Sequence, residues 1–187
     1  MKILVVLCHP RQDSLTAKTA SAFCEGALES GHEVDLLDLY QENFDPVLRV
    51  KDEPNNGSLE NYSLEVQSEF NRLNGNEAIV MVFPLWWWSM PAMLKGWIDR
   101  VWNYGLMYGS AKHNINKGLM IILAGASEKE IQKRHYDDAI NTNLNIGILD
   151  YCGVNESEIM LLNGTKKDDK EKLELYLKQA YEKGASF

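Results

Sequence analysis

The sequence predicts an α/β protein built on one parallel β-sheet with helices on both faces. Three runs of almost purely aliphatic side chains are typical of strands buried on both faces of such a sheet: Ile3 to Leu7, Ala78 to Phe83 and Leu119 to Ala124. Segments with apolar residues at helical spacing separate these runs, and this alternation favours parallel strands joined by helical crossovers. The 187 residues contain no internal repeat and no linker, so we expect one domain over residues 1–187.

Two further strands complete the predicted sheet. His32 to Asp38 carries Val34, Leu36 and Leu37, and Ile159 to Leu162 is a short apolar run. Five strands favour the spatial order 2-1-3-4-5 over the six-strand order of dinucleotide-binding folds.

The helices are predicted between these strands. The first covers Ser14 to Ser30, with Ser14 as a candidate N-cap and Gly31 as its stop. Pro91 suits a helix start, and the apolar stripe after it reaches Val101. Apolar spacing places three more helices at Tyr62 to Leu73, Asp137 to Tyr151 and Lys167 to Lys183. In the last helix four residues are expected to face inward: Leu173, Tyr176, Leu177 and Ala180.

Residues Tyr40 to Asn61 are predicted to form a long excursion over the surface. The segment is polar and includes Pro46, Pro54 and Gly57. Loops of this length inside a compact domain are often functional.

Composition excludes several classes of function. The net charge is −8 with a pI near 5.0, and no basic cluster is present to neutralise phosphates, so nucleic acids and anionic membrane surfaces are disfavoured. No HExxH motif or histidine pair has metal-ligand spacing, so we expect no metal site. The three cysteines are odd in number and lack CxxC spacing, which indicates a reducing compartment. The apolar start is too short to span a bilayer. We therefore expect a cytoplasmic protein.

The loop after the first strand is the first candidate for a ligand site, because ligands of such sheets bind outside the carboxyl ends of the strands. It lacks both GxGxxG and GxxxxGK[ST], so the nicotinamide-binding fingerprint and the P-loop are absent. It offers instead a helix N-terminus, which favours an anion, with hydroxyls from Ser14 and Thr16. The alternative is that Ser14 only caps its helix.

The loop after Phe83 carries three consecutive tryptophans, Trp86, Trp87 and Trp88. Neighbouring side chains point in different directions, so three indoles in a row cannot all face one core. At the end of a strand they suit a flat ring system, which they can flank or stack on. Ordinary core or a dimer interface is the alternative, and it fits Trp97 and Trp102 well.

Residues 83–101, FPLWWWSMPAMLKGWIDRV, resemble the signature of the NAD(P)H:quinone oxidoreductase family, flavoenzymes of the flavodoxin-like fold. The first loop and the order of elements agree over essentially the whole chain. The resemblance implies transfer of hydride from NAD(P)H through a bound flavin to a quinone or similar flat acceptor, with ping-pong kinetics in one pocket. It does not decide whether the flavin is FAD or FMN, or whether the hydride donor is NADH or NADPH.

The resemblance also implies a set of flavin-binding residues. The ribityl and phosphate part would be held by His9, Ser14, Leu15 and Thr16. The isoalloxazine would be lined by Pro84, Leu85, Trp86, Trp87 and Trp88.

The remaining candidates come from two other segments. Where the family has Thr-Thr-Gly-Gly after the fourth strand, this chain keeps only Gly125. His135 precedes Cys152 at about the distance of the family's histidine and is a catalytic candidate, with a solvated surface histidine as the alternative. Tyr108, in a segment resembling the family's F-x-Y-G, is the second candidate and is expected to line the substrate pocket across a dimer interface. Lys95 and Asp99 are interpreted as a structural ion pair at i and i+4.

A homodimer is expected, because the helix from Ala92 and the chain up to Tyr108 carry more apolar and aromatic surface than one sheet-facing stripe needs. Two alternative functions remain at this stage. One is a regulatory flavin-binding subunit, peripherally associated with a membrane transporter, and the other is an electron-carrier flavodoxin.

Overall fold

The computed structural model describes residues 1–53, 57–166 and 169–187. Within them five strands form one parallel sheet: β1 Lys2–Leu7, β2 Glu33–Asp38, β3 Ala78–Pro84, β4 Lys117–Ala124 and β5 Glu156–Asn163. Their spatial order is β2-β1-β3-β4-β5, and each neighbouring pair is parallel. The predicted fold class and strand order are confirmed. Strand β5 begins three residues before its apolar run, because backbone pairing with β4 continues through polar residues at the sheet edge.

The helices that cover the sheet are α1 Leu15–Glu29, α2 Leu64–Asn74, α3 Ala92–Val101, α4 Glu128–Gln132, α5 Tyr136–Ile140 and α6 Lys170–Ala185. The predicted helix Asp137 to Tyr151 is only partly right: α5 passes into a π-helical segment, Asn141–Asp150. The short helix α4 was not predicted. In the excursion, 3₁₀ turns occur at Val50–Asp52 and Leu59–Asn61. Pro54 and the start of the predicted last helix at Lys167 lie outside the described residues.

Two apolar layers hold the helices to the sheet. Strand β3 is buried along its whole length, as its aliphatic run predicts. Alternate residues of β1 point to opposite faces, so Val5 packs in the layer with Phe23 of α1, and Val6 packs in the layer with Trp97 of α3.

Helices α1 and α6 cross at very close range on the first of these faces. A Cβ atom placed on Gly26 would meet the carbonyl oxygen of Tyr181 at 2.0 Å, and one on Gly184 would meet that of Phe23 at 2.1 Å. Only glycine permits this approach, which lies in the C-terminal half of α1.

The excursion lies against α3 on the other face. A Cβ atom on Gly96 would meet the carbonyl oxygen of Pro46 at 2.2 Å. The Arg100 guanidinium donates to Asp52 Oδ2 at 2.8 and 3.1 Å, and the Asn103 amide donates to the Asp52 carbonyl oxygen at 2.6 Å. The predicted pair of Lys95 and Asp99 is present at 2.5 Å.

The helices that the structure describes are each too short or too polar to cross a membrane.

Candidate functional site

The loops that follow β1, β3 and β4 open into one cleft at the carboxyl ends of the strands. Its volume is about 840 Å³, within the range usual for cofactor and ligand sites. All three loops predicted from the sequence contribute to its lining, together with the start of α6.

The first loop brings the N-terminus of α1 to the cleft. Ser14 and Thr16 line it although each is only 3% exposed. The Ser14 hydroxyl accepts from the Ala17 N–H at 3.1 Å, so this serine caps its helix, as the alternative held. No acceptor for its own hydroxyl proton occurs among the described residues. The first intrahelical bond runs from the Lys18 N–H to the Ser14 carbonyl, so the N–H groups of Leu15 and Thr16 precede the helical ladder and favour an anion.

His9 is held in one tautomer by its neighbour. Its Nδ1 accepts the Arg11 N–H at 3.0 Å, so the proton of the neutral ring is on Nε2. Burial lowers the pKa of His9, which favours this neutral form. The ring lies 6.0 Å from that of Trp86, centroid to centroid, so His9 joins the first loop to the tryptophan loop.

The second loop is a tight turn made by tryptophans. Trp86 and Ser89 exchange two backbone hydrogen bonds of 3.0 and 3.1 Å. Between them Trp87 has φ 51° and Trp88 has φ 61°, which makes the turn type I′, a turn that normally uses Asn or Gly. Each left-handed non-glycine residue costs about 1–2 kcal/mol, and such strain is concentrated at functional sites.

The three indoles have different surroundings. Pro84, Leu85 and Trp86 line the cleft, and their contact with a flavin stays a prediction. Trp87 is 96% exposed at the tip of the turn, and Trp88 stacks on Tyr136. Among the residues that the structure describes, Trp87 and Trp88 are not part of the cleft lining, and their contact with a flavin stays a prediction.

The third loop contributes an open position at Gly125, which lines the cleft. A Cβ atom placed there would meet no atom within 4 Å. Ser127 then caps α4 in a reciprocal arrangement with Glu130.

His135 lies away from this opening, with its side chain 83% exposed and Nδ1 3.6 Å from Asp138. In the described part of the chain it does not line the cleft, so its catalytic role stays a prediction. The next residue, Tyr136, is the one that contacts the tryptophan turn.

Tyr108 belongs to a cluster of tyrosine rings on the surface. Its ring centroid is 5.8 Å from that of Tyr104 and 6.0 Å from that of Tyr151. Burial raises the pKa of Tyr108, which keeps the phenol neutral. Tyr151 is 68% exposed and was missed by the sequence analysis, because a single tyrosine at the end of a polar helix carries no pattern. Within the described ranges these rings do not line this chain's cleft.

Helix α6 forms the far wall of the cleft, which the sequence analysis missed. Leu173 and Leu177, predicted to face inward, line the cleft and are only half-buried. An amphipathic stripe does not distinguish a core-facing side chain from one that faces a ligand, so this prediction was wrong for these two residues. Among the described residues the cleft also carries three basic side chains, Arg11, Lys18 and Lys170, and two acidic ones, Asp13 and Glu174.

An open parallel sheet in this order, with a cleft at the carboxyl ends of its strands, defines the flavodoxin-like class of proteins. The chain belongs to the family described by that fold, whose model matches residues 1–183.

Named relatives agree with the resemblance. The chain is 40% identical over 174 residues to the Escherichia coli (strain K12) protein named "Uncharacterized NAD(P)H oxidoreductase YcaK", covering 92% of this chain and 88% of that one. It is 29% identical over 186 residues to the Rattus norvegicus NAD(P)H dehydrogenase [quinone] 1, covering 86% of this chain and 68% of the rat protein. The structure of an NAD(P)H:quinone oxidoreductase from Methanothermobacter marburgensis matches with a TM-score of 0.91 and 27% identity, covering 100% of this chain and 96% of that one. The predicted resemblance to the quinone oxidoreductases is confirmed.

Proposed function

We propose that the protein is a flavin-dependent NAD(P)H oxidoreductase that passes hydride from NAD(P)H to a quinone or a similar flat acceptor. The main support for this proposal is that an anion-binding surface and an apolar, aromatic surface line the same cleft. The N-terminus of α1 favours an anion, and the strand end at Pro84, Leu85 and Trp86 offers an apolar and aromatic flank.

The residues present fit a flavin. Ser14 and Thr16, with the free N–H groups at the start of α1, would hold a phosphate. Pro84, Leu85 and Trp86 would flank the isoalloxazine, and the open position at Gly125 leaves room on the side of β4. A bound flavin supplies the capacity to accept a hydride from one substrate and deliver it to another.

Of the two flavins, FAD fits the extent of the cleft better than FMN does. Beyond the phosphate position the cleft continues between Leu15 of α1 and the half-buried Leu173 and Leu177 of α6. FMN ends at its phosphate and would leave these apolar side chains uncovered. The adenosine part of FAD would cover them, with Lys18 and Lys170 placed for its phosphates.

One pocket would serve both substrates in turn. The sequence has no GxGxxG motif for a separate nicotinamide site. NAD(P)H would therefore bind over the flavin, leave, and be replaced by the acceptor, which gives ping-pong kinetics.

The active form is proposed to be a homodimer. Tyr104, Tyr108 and Tyr151 form a partly exposed aromatic cluster that does not line this chain's own cleft, as far as the structure describes it. Aromatic side chains are enriched at interfaces, and twofold pairing would place Tyr108 in the pocket of the partner. The three free cysteines fit a cytoplasmic location.

The test is purification followed by release and identification of the bound flavin. We expect FAD in near-stoichiometric amount, or uptake of added FAD more tightly than FMN, and quinone-dependent oxidation of NAD(P)H. Absence of flavin binding would refute the proposal. Flavin without turnover, together with co-purification of a transporter, would favour the regulatory subunit.

A further inference from the structure

Trp88 and Tyr136 stack face to face across a gap between two segments distant in sequence. Their ring centroids are 3.7 Å apart with an interplanar angle of 20°. Trp88 belongs to the turn after β3, and Tyr136 is the first residue of α5. This pair therefore joins the turn beside the cleft to the α4–α5 segment that follows Gly125.

Both segments are bent into the left-handed region at the point of contact. Trp88 has φ 61°, and His135, directly before Tyr136, has φ 55°. Neither residue is glycine, so each conformation is strained and persists only if the surroundings impose it. The backbone bonds between Trp86 and Ser89 close the turn, but they do not fix the direction of the indole at Trp88.

A comparison with Trp87 shows how the stack changes the surroundings of Trp88. Trp87 has a similar φ of 51° and is 96% exposed, without a ring contact among the described residues. Trp88 is half-buried under Tyr136. A stacked aromatic pair stabilises beyond its burial, by an amount comparable with the cost of one left-handed residue.

We propose that Tyr136 is a positioning residue. The face of its ring packs on Trp88 and thereby fixes the position of the turn between Trp86 and Ser89 beside the cleft. The phenol hydroxyl has no part in this role. The proposal rests on the proposed function for its flavin readout, since Trp86 at the base of the same turn lines the cleft. The ordering of the turn itself does not depend on a flavin.

Tyr136→Phe and Tyr136→Ala separate the ring from the hydroxyl. Tyr136→Phe keeps the stack, and we expect wild-type flavin affinity, an unchanged pH profile of turnover and unchanged amide exchange at Ser89. Tyr136→Ala removes the ring. We expect faster exchange of the Ser89 amide in the flavin-free protein and a flavin Kd raised about three- to tenfold, equal to about 0.6–1.4 kcal/mol. Tyr136→Leu restores apolar bulk without a stack and is expected to fall between them.

Tyr181→Ala is the control for the exchange experiment, because Tyr181 is also half-buried but its hydroxyl bonds to Glu29 of α1 and not to the turn. It should not change the Ser89 exchange. If Tyr136→Phe is as impaired as Tyr136→Ala, the hydroxyl is required and the proposal is overturned. Equal Ser89 exchange in wild type and Tyr136→Ala overturns it as well. Failure of the wild type to bind any flavin refutes the proposed function instead, and the exchange experiment still decides the role of the stack.

Discussion

Arg100 and Asp52 form an ion pair that is buried on both sides, with side chains 4% and 1% exposed. The pair joins α3 to the excursion, and the Asn103 amide bonded to the Asp52 carbonyl extends the connection to the start of the Tyr104–Tyr108 segment. Ser63 adds a backbone N–H to Asp52 Oδ1 at 2.8 Å. The excursion is therefore anchored by charge, although its own sequence is polar and poor in core residues.

Asp52 should make the stability of the fold sensitive to acid. Burial opposes its ionisation, yet the hydrogen bonds from Ser63 and Arg100 outweigh burial and hold the pKa of Asp52 below its usual value. A carboxylate with a lowered folded-state pKa stabilises the fold above its unfolded pKa of about 3.9 and loses that contribution as pH falls through the folded pKa. We expect urea unfolding to show wild-type stability falling below about pH 4, with a shallower fall in Asp52→Asn. If stability falls equally steeply with pH in the wild type and in Asp52→Asn, Asp52 does not have this role.

Removing the Asp52 carboxylate leaves the buried Arg100 guanidinium with Glu65 as its one carboxylate partner among the described residues, beside the neutral Asp45 carbonyl and Ser63 hydroxyl. At pH 7 we expect Asp52→Ala to lower the free energy of unfolding by about 3–5 kcal/mol, as for other buried pairs broken on one side. Asp45→Ala is the control, since the exposed pair of Asp45 and Arg49 should contribute at most about 1 kcal/mol.

Trp87→Gly should raise stability while lowering function. Glycine adopts φ 51° without the steric cost that tryptophan has there, and the 96% exposed indole contributes little burial. We expect the free energy of unfolding to rise by up to about 1 kcal/mol and flavin binding or quinone turnover to fall. Trp97→Ala is the contrasting variant: that indole is 0% exposed, and its loss should cost about 3–5 kcal/mol. If Trp87→Gly proves less stable than the wild type, the Trp87 indole makes stabilising contacts in solution, which contradicts this prediction.

Gly26→Ala should destabilise the crossing of α1 and α6. The added methyl would lie 2.0 Å from the carbonyl oxygen of Tyr181, so the helices must separate, at a cost of about 1–3 kcal/mol. Because α6 forms a wall of the cleft, flavin affinity should fall as well. Ser21→Ala, on the exposed side of α1, should change stability by less than about 0.5 kcal/mol.

The cysteines should be inert in the folded protein. Burial raises the pKa of Cys8 to about 12, and burial raises those of Cys24 and Cys152 to about 11. A disulfide reagent that reacts with thiolates should therefore titrate no thiol in the native protein at pH 8 and three thiols in urea. Rapid native reaction of any of them would indicate that local opening exposes it.

The proposed shared pocket has its own test in mixed dimers. Tyr108→Ala and Trp86→Ala are each expected to be impaired. If every pocket combines Trp86 of one subunit with Tyr108 of the other, a mixed dimer has one intact and one doubly damaged pocket, so random mixing restores about a quarter of the sites. Sedimentation of the wild type as a monomer, or no recovery on mixing, would contradict it.

The central part of the fold could be predicted because its signals are local. The runs of β1, β3 and β4 are aliphatic on both faces, and this determines both their burial and the parallel class of the sheet. The positions of His9, Ser14 to Thr16 and Pro84 to Trp86 in the cleft follow directly, since a parallel sheet brings its strand ends together.

The remaining features depend on contacts between distant segments. Nothing around Tyr136 shows that its ring meets Trp88, and the left-handed backbone at His135 that turns it there carries no glycine to signal it. The π-helical segment Asn141–Asp150 mixes polar and apolar residues without a clear period. The cleft-facing side of α6 has the same amphipathic pattern as a helix that faces only the core.

The glycine crossing of α1 and α6 also affects the order in which the site is made. Helix α1 enters the sheet early in synthesis, but the wall that α6 forms against it exists only after residues 170–185 have left the ribosome. More than 140 residues separate Gly26 from Tyr181 in the sequence, and contacts of such separation form late in folding. Until α6 has emerged and packed, a nascent chain therefore has the anion-binding end of α1 but no enclosed cleft that could hold a flavin.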